Sequence, residues 1–161
     1  KRALIPISLA LAGCASIGAQ SGQTVGVAQM AQADGRAAGT ATLVDVGNGL
    51  ALDMAVEGVP AGTRGFHLHT TGRCDAPDFQ TAGGHLNPLS RQHGTENPAG
   101  AHVGDLPNIR IAPGGVTRTR IPLRGEREAL LAQIFDSDGT SIMIHAAADD
   151  YRTDPTGNAG A

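Results

Sequence analysis

The six histidines of this 161-residue sequence fall in three short segments, residues 65–69, 83–105 and 142–145. Neutral imidazole binds divalent copper and zinc well, and a carboxylate can complete such a site. Solvation alone gives no reason for every histidine to collect in three segments around one long loop. Together with Asp105, the six histidines supply enough ligands for two ions. The pattern therefore predicts a two-metal centre.

The spacing separates these ligands into two sets. His67 and His69 are two residues apart in an apolar run, so on a strand both imidazoles leave the same face and can bind one ion. The second set lies in the segment that follows and consists of His85, His93, His102 and Asp105. Three imidazoles and one carboxylate with no open position are typical of a closed, tetrahedral, structural zinc site. Such a site would order a loop that has little core of its own.

The elements that must position these ligands are predicted to be strands. A chain of this length makes one domain, and its 23 glycines, 9 prolines and few aromatic residues suit strands and turns better than a helical bundle. Asp34-Gly35 and Asn48-Gly49 are strong hairpin signals, so the first three strands should form an antiparallel meander. The predicted strands are residues 24–31, 37–46, 50–56, 63–69, 108–112, 116–123 and 141–145. In the third of them the apolar residues alternate and should lie on one face: Leu50, Leu52, Met54 and Val56.

Residues 70–107 show no sustained period of 2 or 3.6. A loop of that length inside a compact domain is usually functional, and the ligands in it favour that interpretation. After the loop, residues 108–112 and 116–123 are predicted to pair as a hairpin around Pro113-Gly114-Gly115. Residues 126–133 are expected to form one or two helical turns.

Residues 1–14 have the pattern of a targeting segment. The basic residues Lys1 and Arg2 precede about ten apolar residues, too few for the roughly 20 that span a bilayer but typical of a signal peptide. The segment ends in LAGC, which resembles a bacterial lipobox with Cys14 as the lipidated residue. Since Ala15 is not an aspartate, the anchored protein would go to the outer membrane. An ordinary secretory leader with an incidental Cys14 is the alternative, and both interpretations predict export to the periplasm.

Charge and composition limit the partners. The formal net charge is −3, which gives nucleic acid no basic surface to bind. Residues 15–23 are small and polar and are predicted to be a flexible tether. Contact with a membrane is expected only through a lipid anchor at Cys14. Whether the domain is a monomer or a homodimer is left open by the sequence.

The motifs GFHLH, AGGHLNP, HVGDLPNI, FDSDG, IHAAADDY and TGNAGA occur in this order and resemble the copper-zinc superoxide dismutases of the bacterial exported type. The resemblance covers residues 24–161. It implies an all-β, Greek-key antiparallel barrel or sandwich of eight strands with a long metal-binding loop. It also implies dismutation of superoxide to dioxygen and hydrogen peroxide by a redox-cycling copper beside a structural zinc.

The resemblance also implies roles for individual residues. Copper would be bound by four histidines and zinc by three histidines and one aspartate, with His85 shared: the copper set is His67, His69, His85 and His145, and the zinc set is His85, His93, His102 and Asp105. Asp149 would accept hydrogen bonds from one ligand of each set, His67 and His93. His85 would also carry one of the two protons that the second superoxide takes up.

One feature of the family pattern concerns the end of the sequence. After the GNAG motif the pattern continues with an arginine that guides superoxide and, a few residues later, a cysteine in a final strand. We therefore expect the chain to be truncated after Ala161, with the eighth strand beyond it. Two cysteines in an exported chain invite a Cys14–Cys74 disulfide. The resemblance instead pairs Cys74 with the cysteine beyond Ala161.

Two other functions compete with dismutation. The first is a non-catalytic copper- or zinc-binding exported lipoprotein on the same fold. Ligands are commonly lost in that class, so the complete ligand set argues against it, whereas the absence of the family arginine from this sequence keeps it open. A hydrolase that uses serine, histidine and aspartate is the second, and the absence of a GxSxG sequence disfavours it.

Overall fold

Eight antiparallel strands form the framework of the computed structural model, which describes residues 22–160. The predicted leader with Cys14 and nearly all of the tether lie outside this range. Within it, the strands are β1 (Gln23–Ala31), β2 (Ala37–Asp45), β3 (Leu50–Val56), β4 (Gly62–Arg64), β5 (Phe66–His69), β6 (Ile109–Ile111), β7 (Thr117–Pro122) and β8 (Ser141–Ile144). One α-helix, α1 (Arg127–Ile134), lies between β7 and β8.

The first three strands form the predicted meander. β1 pairs with β2 and β2 with β3, both antiparallel. Gly35, in the first turn, has a φ of 83°, a left-handed conformation that favours glycine. In β3 the predicted apolar face is confirmed, since Leu50, Leu52, Met54 and Val56 are all buried.

The fourth neighbour in this sheet comes from far along the chain. β3 pairs with β7, which gives a four-stranded sheet in the order β1-β2-β3-β7. Two smaller ladders, β4–β6 and β5–β8, complete the strand pairing of the described residues. The sheets are therefore packed as a sandwich, which confirms the all-β antiparallel prediction, and within residues 22–160 the sheet is not closed into a barrel. The physical reason is that β1 and β8 do not hydrogen-bond to each other, so the ladder does not close.

One apolar core holds these sheets together. Side chains from the meander meet those of the smaller ladders and of α1, and the most deeply buried large ones are Leu50, Val56, Phe66, Leu106 and Leu130. Phe66 alternates along β5 with His67, so the strand that carries two predicted ligands is itself fixed by the core. Leu106 belongs to the long loop and anchors its end in the same core.

Two details of the strand prediction are wrong. The predicted strand 63–69 is two strands, because the chain breaks at Gly65 between β4 and β5. A side chain at Gly65 would lie 2.7 Å from the Ala159 Cβ, so the break accommodates a distant loop. The predicted hairpin of residues 108–112 with 116–123 does not form, since β6 pairs with β4 and β7 with β3.

The helix has eight residues, about two turns, as predicted for residues 126–133, and it begins one residue later than predicted. Burial of Leu130 fixes α1 against the core. Within residues 22–160, no helix has both the length and the apolar character needed to cross a membrane.

Candidate metal centre

The β5–β8 ladder presents three of the predicted ligands. His67 and His69 project from the same face of β5, and His145 follows the last residue of β8. The other residues of β5, Phe66 and Leu68, point into the core. All three histidines are buried. The alternation that puts apolar residues inward therefore gathers the imidazoles on the opposite face.

The long loop returns to the edge of β5 and brings the remaining ligands with it. The Leu86 amide donates to the Leu68 carbonyl (2.8 Å), and the Leu68 amide donates to the Gly104 carbonyl (3.0 Å). Gly104 is packed so tightly that a Cβ there would meet the Leu68 carbonyl oxygen. His85 precedes Leu86, and it forms an isolated bridge with His69. Asp105 follows Gly104, and it forms an isolated bridge with His67.

The first cluster consists of His67, His69, His85 and His145. One ring nitrogen from each lies within 4.8 Å of the others. In each ring, one buried nitrogen has no hydrogen-bond partner: Nδ1 of His67 and Nε2 of the other three. Four buried, unpartnered nitrogens in one place are costly for a folded chain. A cation that accepts nitrogen ligands removes that cost, so the donor set fits copper.

Hydrogen bonds at the other ring nitrogens set the tautomers of these histidines. His69 donates from Nδ1 to the Gly83 carbonyl (2.9 Å), and His145 donates from Nδ1 to the Gly160 carbonyl (2.7 Å). His67 donates from Nε2 to a carboxylate oxygen of Asp149 (2.6 Å). In every case the remaining nitrogen carries a lone pair and is the one without a partner, as a metal ligand requires.

The environment also keeps these rings neutral. Burial lowers the pKa of His67 to about 3 and the pKa of His69 to about 4, and the nearby His85 ring adds to both shifts. Burial likewise lowers the pKa of His145. At neutral pH no proton competes with a metal for these nitrogens.

The second cluster consists of the Nδ1 atoms of His85, His93 and His102 around one oxygen of Asp105. The three nitrogens lie 3.0, 3.0 and 3.1 Å from that oxygen. The His85 nitrogen lies 3.3 Å from that of His93 and 3.4 Å from that of His102. A tetrahedral ion bound at about 2.0–2.2 Å separates its ligands by roughly 3.3–3.6 Å. The cluster therefore needs only small movements to close around zinc.

Asp105 is held in place by its own hydrogen bonds. Its second carboxylate oxygen accepts from the amides of Gly94 (2.8 Å) and His102 (3.0 Å). Its backbone carbonyl accepts from the Arg124 guanidinium (2.6 Å). Burial acts to raise the pKa of Asp105, but hydrogen bonds from His85 and His93 outweigh it and hold the pKa far below its usual value. The carboxylate is thus ionised and aimed at the cluster.

His85 belongs to both clusters. Its Nδ1 faces Asp105, and its Nε2 is buried without a partner among the first set. Its ring stacks on that of His67 with centroids 3.9 Å apart. One imidazole therefore presents a nitrogen to each of the two places where an ion would lie.

The carboxylate of Asp149 links the two clusters on the side of the imidazole rings away from the proposed metal-binding nitrogens. Asp149 is buried and accepts hydrogen bonds from Nε2 of His67 (2.6 Å) and from Nε2 of His93 (3.0 Å). Burial acts to raise the pKa of Asp149, but these two imidazoles outweigh it and lower the pKa. Burial acts to lower the pKa of His93, but Asp105 and Asp149 together raise it to about 9.

Asn108 and Gly157 complete this arrangement, and neither was singled out from the sequence. The Asn108 side chain donates to the Asp149 carbonyl (2.9 Å) and accepts from the Asp149 amide (2.8 Å). Gly157 has a φ of 63°, and a Cβ there would lie 2.0 Å from an Asp149 oxygen and 2.5 Å from the His93 Nε2. Both residues lie in quoted motifs, HVGDLPNI and TGNAGA, but their partners are distant in sequence.

The remaining predicted residues lie apart from the clusters. Asp150, which follows Asp149, is exposed and accepts hydrogen bonds from Thr153 and Asn158, so it belongs to a solvated turn and not to the clusters. Cys74 is exposed with a free thiol. Its Sγ donates to the Met143 Sδ at 3.4 Å, so within residues 22–160 it has no disulfide partner.

The sequence that carries these two clusters matches a known protein family. Residues 37–161 match the family described as copper/zinc superoxide dismutase. The chain is 40% identical over 136 residues to a Cu-Zn superoxide dismutase of Caulobacter vibrioides, covering 80% of this chain and 76% of that protein. It is 37% identical over 129 residues to Cu-Zn superoxide dismutase 1 of Aquifex aeolicus, covering 78% of this chain and 76% of that protein.

Solved structures show the same fold. A superoxide dismutase-like protein from Bacillus subtilis superposes with a TM-score of 0.75 at 35% identity, covering 83% of this chain and 91% of that one. The Cu/Zn superoxide dismutase of Brucella abortus superposes with a TM-score of 0.68 at 25% identity, covering 84% and 94%.

Proposed function

Because the chain belongs to the copper/zinc superoxide dismutase family, we propose that it dismutates superoxide at a copper ion bound by four histidines: His67, His69, His85 and His145. The observation that carries this assignment is the set of four buried, unpartnered ring nitrogens. When bound, copper supplies the one-electron chemistry that converts two superoxide ions to dioxygen and hydrogen peroxide. The chain is thus an oxidoreductase whose cofactors are copper and zinc.

The zinc ion is assigned to His85, His93, His102 and Asp105. The close approach of three Nδ1 atoms to one carboxylate oxygen supports this set. His67 also lies near it, but its Nε2 is engaged by Asp149, and its free Nδ1 belongs with the copper set. We therefore assign the fourth zinc position to His102.

His85 and Asp149 have different tasks in this proposal. His85 holds or delivers one proton at Nε2, because this nitrogen faces the copper set while Nδ1 remains with the zinc set. Asp149 accepts the Nε2 protons of His67 and His93, so that Nδ1 is the nitrogen that each ring offers to a metal. Asp149 is accordingly a positioning residue.

Superoxide consumption by the reconstituted full-length chain tests this function. We expect rapid consumption after loading with copper and zinc and removal of unbound copper, and no consumption above the uncatalysed rate after loading with zinc alone. His69→Ala removes one copper nitrogen without touching the zinc set, so it should abolish consumption while zinc is retained. Full activity in His69→Ala would contradict the copper assignment.

Export and anchoring are proposals that depend on the sequence of residues 1–14. We propose that the chain is exported to the periplasm and that Cys14 is lipidated, which attaches the domain to the outer membrane. Mass spectrometry of the mature N-terminus tests this, since cleavage beyond Cys14 would leave no anchor.

We also propose that Cys74 enters a disulfide with a cysteine outside residues 22–160, since its thiol is exposed. Thiol counting on the oxidised and reduced mature protein tests the pairing. A Cys74 that reacts as a free thiol in the oxidised protein would contradict it.

A further inference from the structure

The proposed copper ligand His145 lies just outside the strand that carries it. β8 ends at Ile144, which pairs with Phe66 at the end of the β5–β8 ladder. His145 still donates its amide to the Gly65 carbonyl (2.9 Å), but residues 146–148 are exposed and belong to no strand. A ligand in this position needs further contacts to keep its geometry.

Arg64 supplies such a contact. One Nη of its guanidinium group donates to the Ala146 carbonyl, and the other Nη donates to the Pro60 carbonyl (3.0 Å). Among residues 22–160, no other side chain hydrogen-bonds to the backbone of residues 145–147. The guanidinium group therefore bridges the segment before β4 and the residue that follows His145.

The geometry of this contact requires an arginine. A guanidinium group presents its donors in a rigid fork, whereas a lysine offers a single ammonium group. Arg64 uses both arms of the fork, one for each segment. Its Nε is buried without a partner, and an unpartnered buried donor destabilises the folded chain. The chain therefore tolerates an unfavourable Nε at a position where both Nη groups are bound.

The path from the Ala146 carbonyl to the His145 ring is short. Gly65, the residue after Arg64, accepts from the His145 amide (2.9 Å) and donates to the Ala147 carbonyl (2.7 Å). Together with the Arg64 bond, these two bonds hold the two segments as one unit. Loss of the Arg64 bond frees the Ala146 peptide group, and the direction in which the His145 Nε2 points is then less well fixed.

A second arginine makes a corresponding contact in the zinc set. Arg124 donates to the backbone carbonyl of Asp105 (2.6 Å). Among residues 22–160, no hydrogen bond joins Arg124 to His67, His69 or His145. The two arginines therefore act on ligands of different metals, and each serves as a comparison for the other.

We propose that Arg64 is a positioning residue for copper, because its bond to the Ala146 carbonyl fixes the direction of the His145 Nε2 lone pair. The guanidinium group acts through the backbone and is not itself a metal ligand. This inference rests on the proposed function, since it requires His145 to bind copper.

Separate copper and zinc affinities of arginine variants of the full-length chain test the proposal. In chelator competition, Arg64→Ala should bind copper about tenfold more weakly than the parent, the lower end of the effect of losing a partner that orients a metal ligand. Its zinc affinity should be unchanged. Electron paramagnetic resonance of its bound Cu(II) should show an altered copper hyperfine coupling, which a general loss of stability would not produce. Arg64→Lys keeps the charge without the fork and should recover only part of the copper affinity.

Two further variants are matched controls. Arg110→Ala removes an exposed arginine from β6, the strand that pairs with β4, and should change neither affinity nor the copper spectrum. Arg124→Ala should give the reverse of Arg64→Ala, with weaker zinc binding and the copper spectrum of the parent.

Two results would overturn the inference. One is an Arg64→Ala variant with the copper affinity and spectrum of the parent. The other is an equal loss of both metals in Arg64→Lys, because Arg64 would then support the fold as a whole; this variant decides the question if Arg64→Ala does not fold. A parent chain that binds no copper, or a His145→Ala variant that binds copper as the parent does, would instead contradict the proposed function.

Discussion

Replacement of Asp149 by asparagine should weaken copper binding more than zinc binding. In the wild-type chain one carboxylate oxygen accepts from both His93 (3.0 Å) and the Tyr151 amide (2.6 Å). The other oxygen accepts from His67 alone (2.6 Å). An asparagine will keep its oxygen where two donors converge. Its NH₂ group will then face the Nε2–H of His67.

The conflict between two donors sets the size of the effect. His67 must move its proton from Nε2 to Nδ1 or lose the contact, and Nδ1 is the nitrogen proposed to bind copper. A hydrogen bond to a charged group contributes about 1.5–3 kcal/mol, which corresponds to a roughly 10- to 100-fold change in affinity. His93 keeps its acceptor and loses only the negative charge, so zinc affinity should fall less than about tenfold.

Competition with metal chelators on the metal-free chain measures both affinities. Asp150→Asn is the matched control, since Asp150 is adjacent but exposed and bonds to loop residues. It should leave both affinities unchanged. A larger loss of zinc than of copper in Asp149→Asn, or an equal loss in Asp150→Asn, would refute the role that we assign to Asp149.

Three further outcomes are expected. His145→Ala should lose copper and keep zinc, as elemental analysis will show, because His145 belongs to the copper set alone; equal loss of both metals would argue against that assignment. The pKa of His93 in the metal-free chain is raised to about 9, so zinc must displace a proton from this ring when it binds below that pH. Zinc affinity, measured by competition with a chelator, should therefore rise about tenfold per pH unit and level off above about pH 9. A zinc affinity that does not change between pH 7 and 9 would contradict this. Gly157→Ala should weaken zinc binding and lower the melting temperature, because its Cβ would meet Asp149 and His93. Gly114→Ala, also at positive φ but with no atom within 4 Å, should cost only backbone strain and serves as its control.

Local sequence signals predicted the parts of the fold that depend on neighbours in sequence. The Asp34-Gly35 turn and the alternation in β3 are short-range features, and both are confirmed. Pairing between distant segments was harder, because the partner of a strand depends on what the rest of the chain packs. The sequence predicted that residues 108–112 pair with residues 116–123 as a hairpin. In the structure, Ile109 and Ile111 are instead buried in the ladder that β6 forms with β4.

The same distinction applies to the site. Residue type and spacing singled out the histidines and Asp105, which the folded chain brings into two clusters. The residues that hold them were not visible, since the double hydrogen bond of Asn108 with Asp149 joins positions 41 residues apart. The Cys74–Met143 contact likewise joins positions 69 residues apart.

Metal content tests the central claim most directly. After reconstitution with both metals and removal of unbound metal, the chain should contain one copper and one zinc ion. The electron paramagnetic resonance spectrum of its Cu(II) should show coupling to nitrogen ligands. The His85→Ala variant, which lacks the shared imidazole, should bind both metals more weakly. One metal in total per parent chain, or loss of only one metal from His85→Ala, would contradict two adjacent sites that share His85.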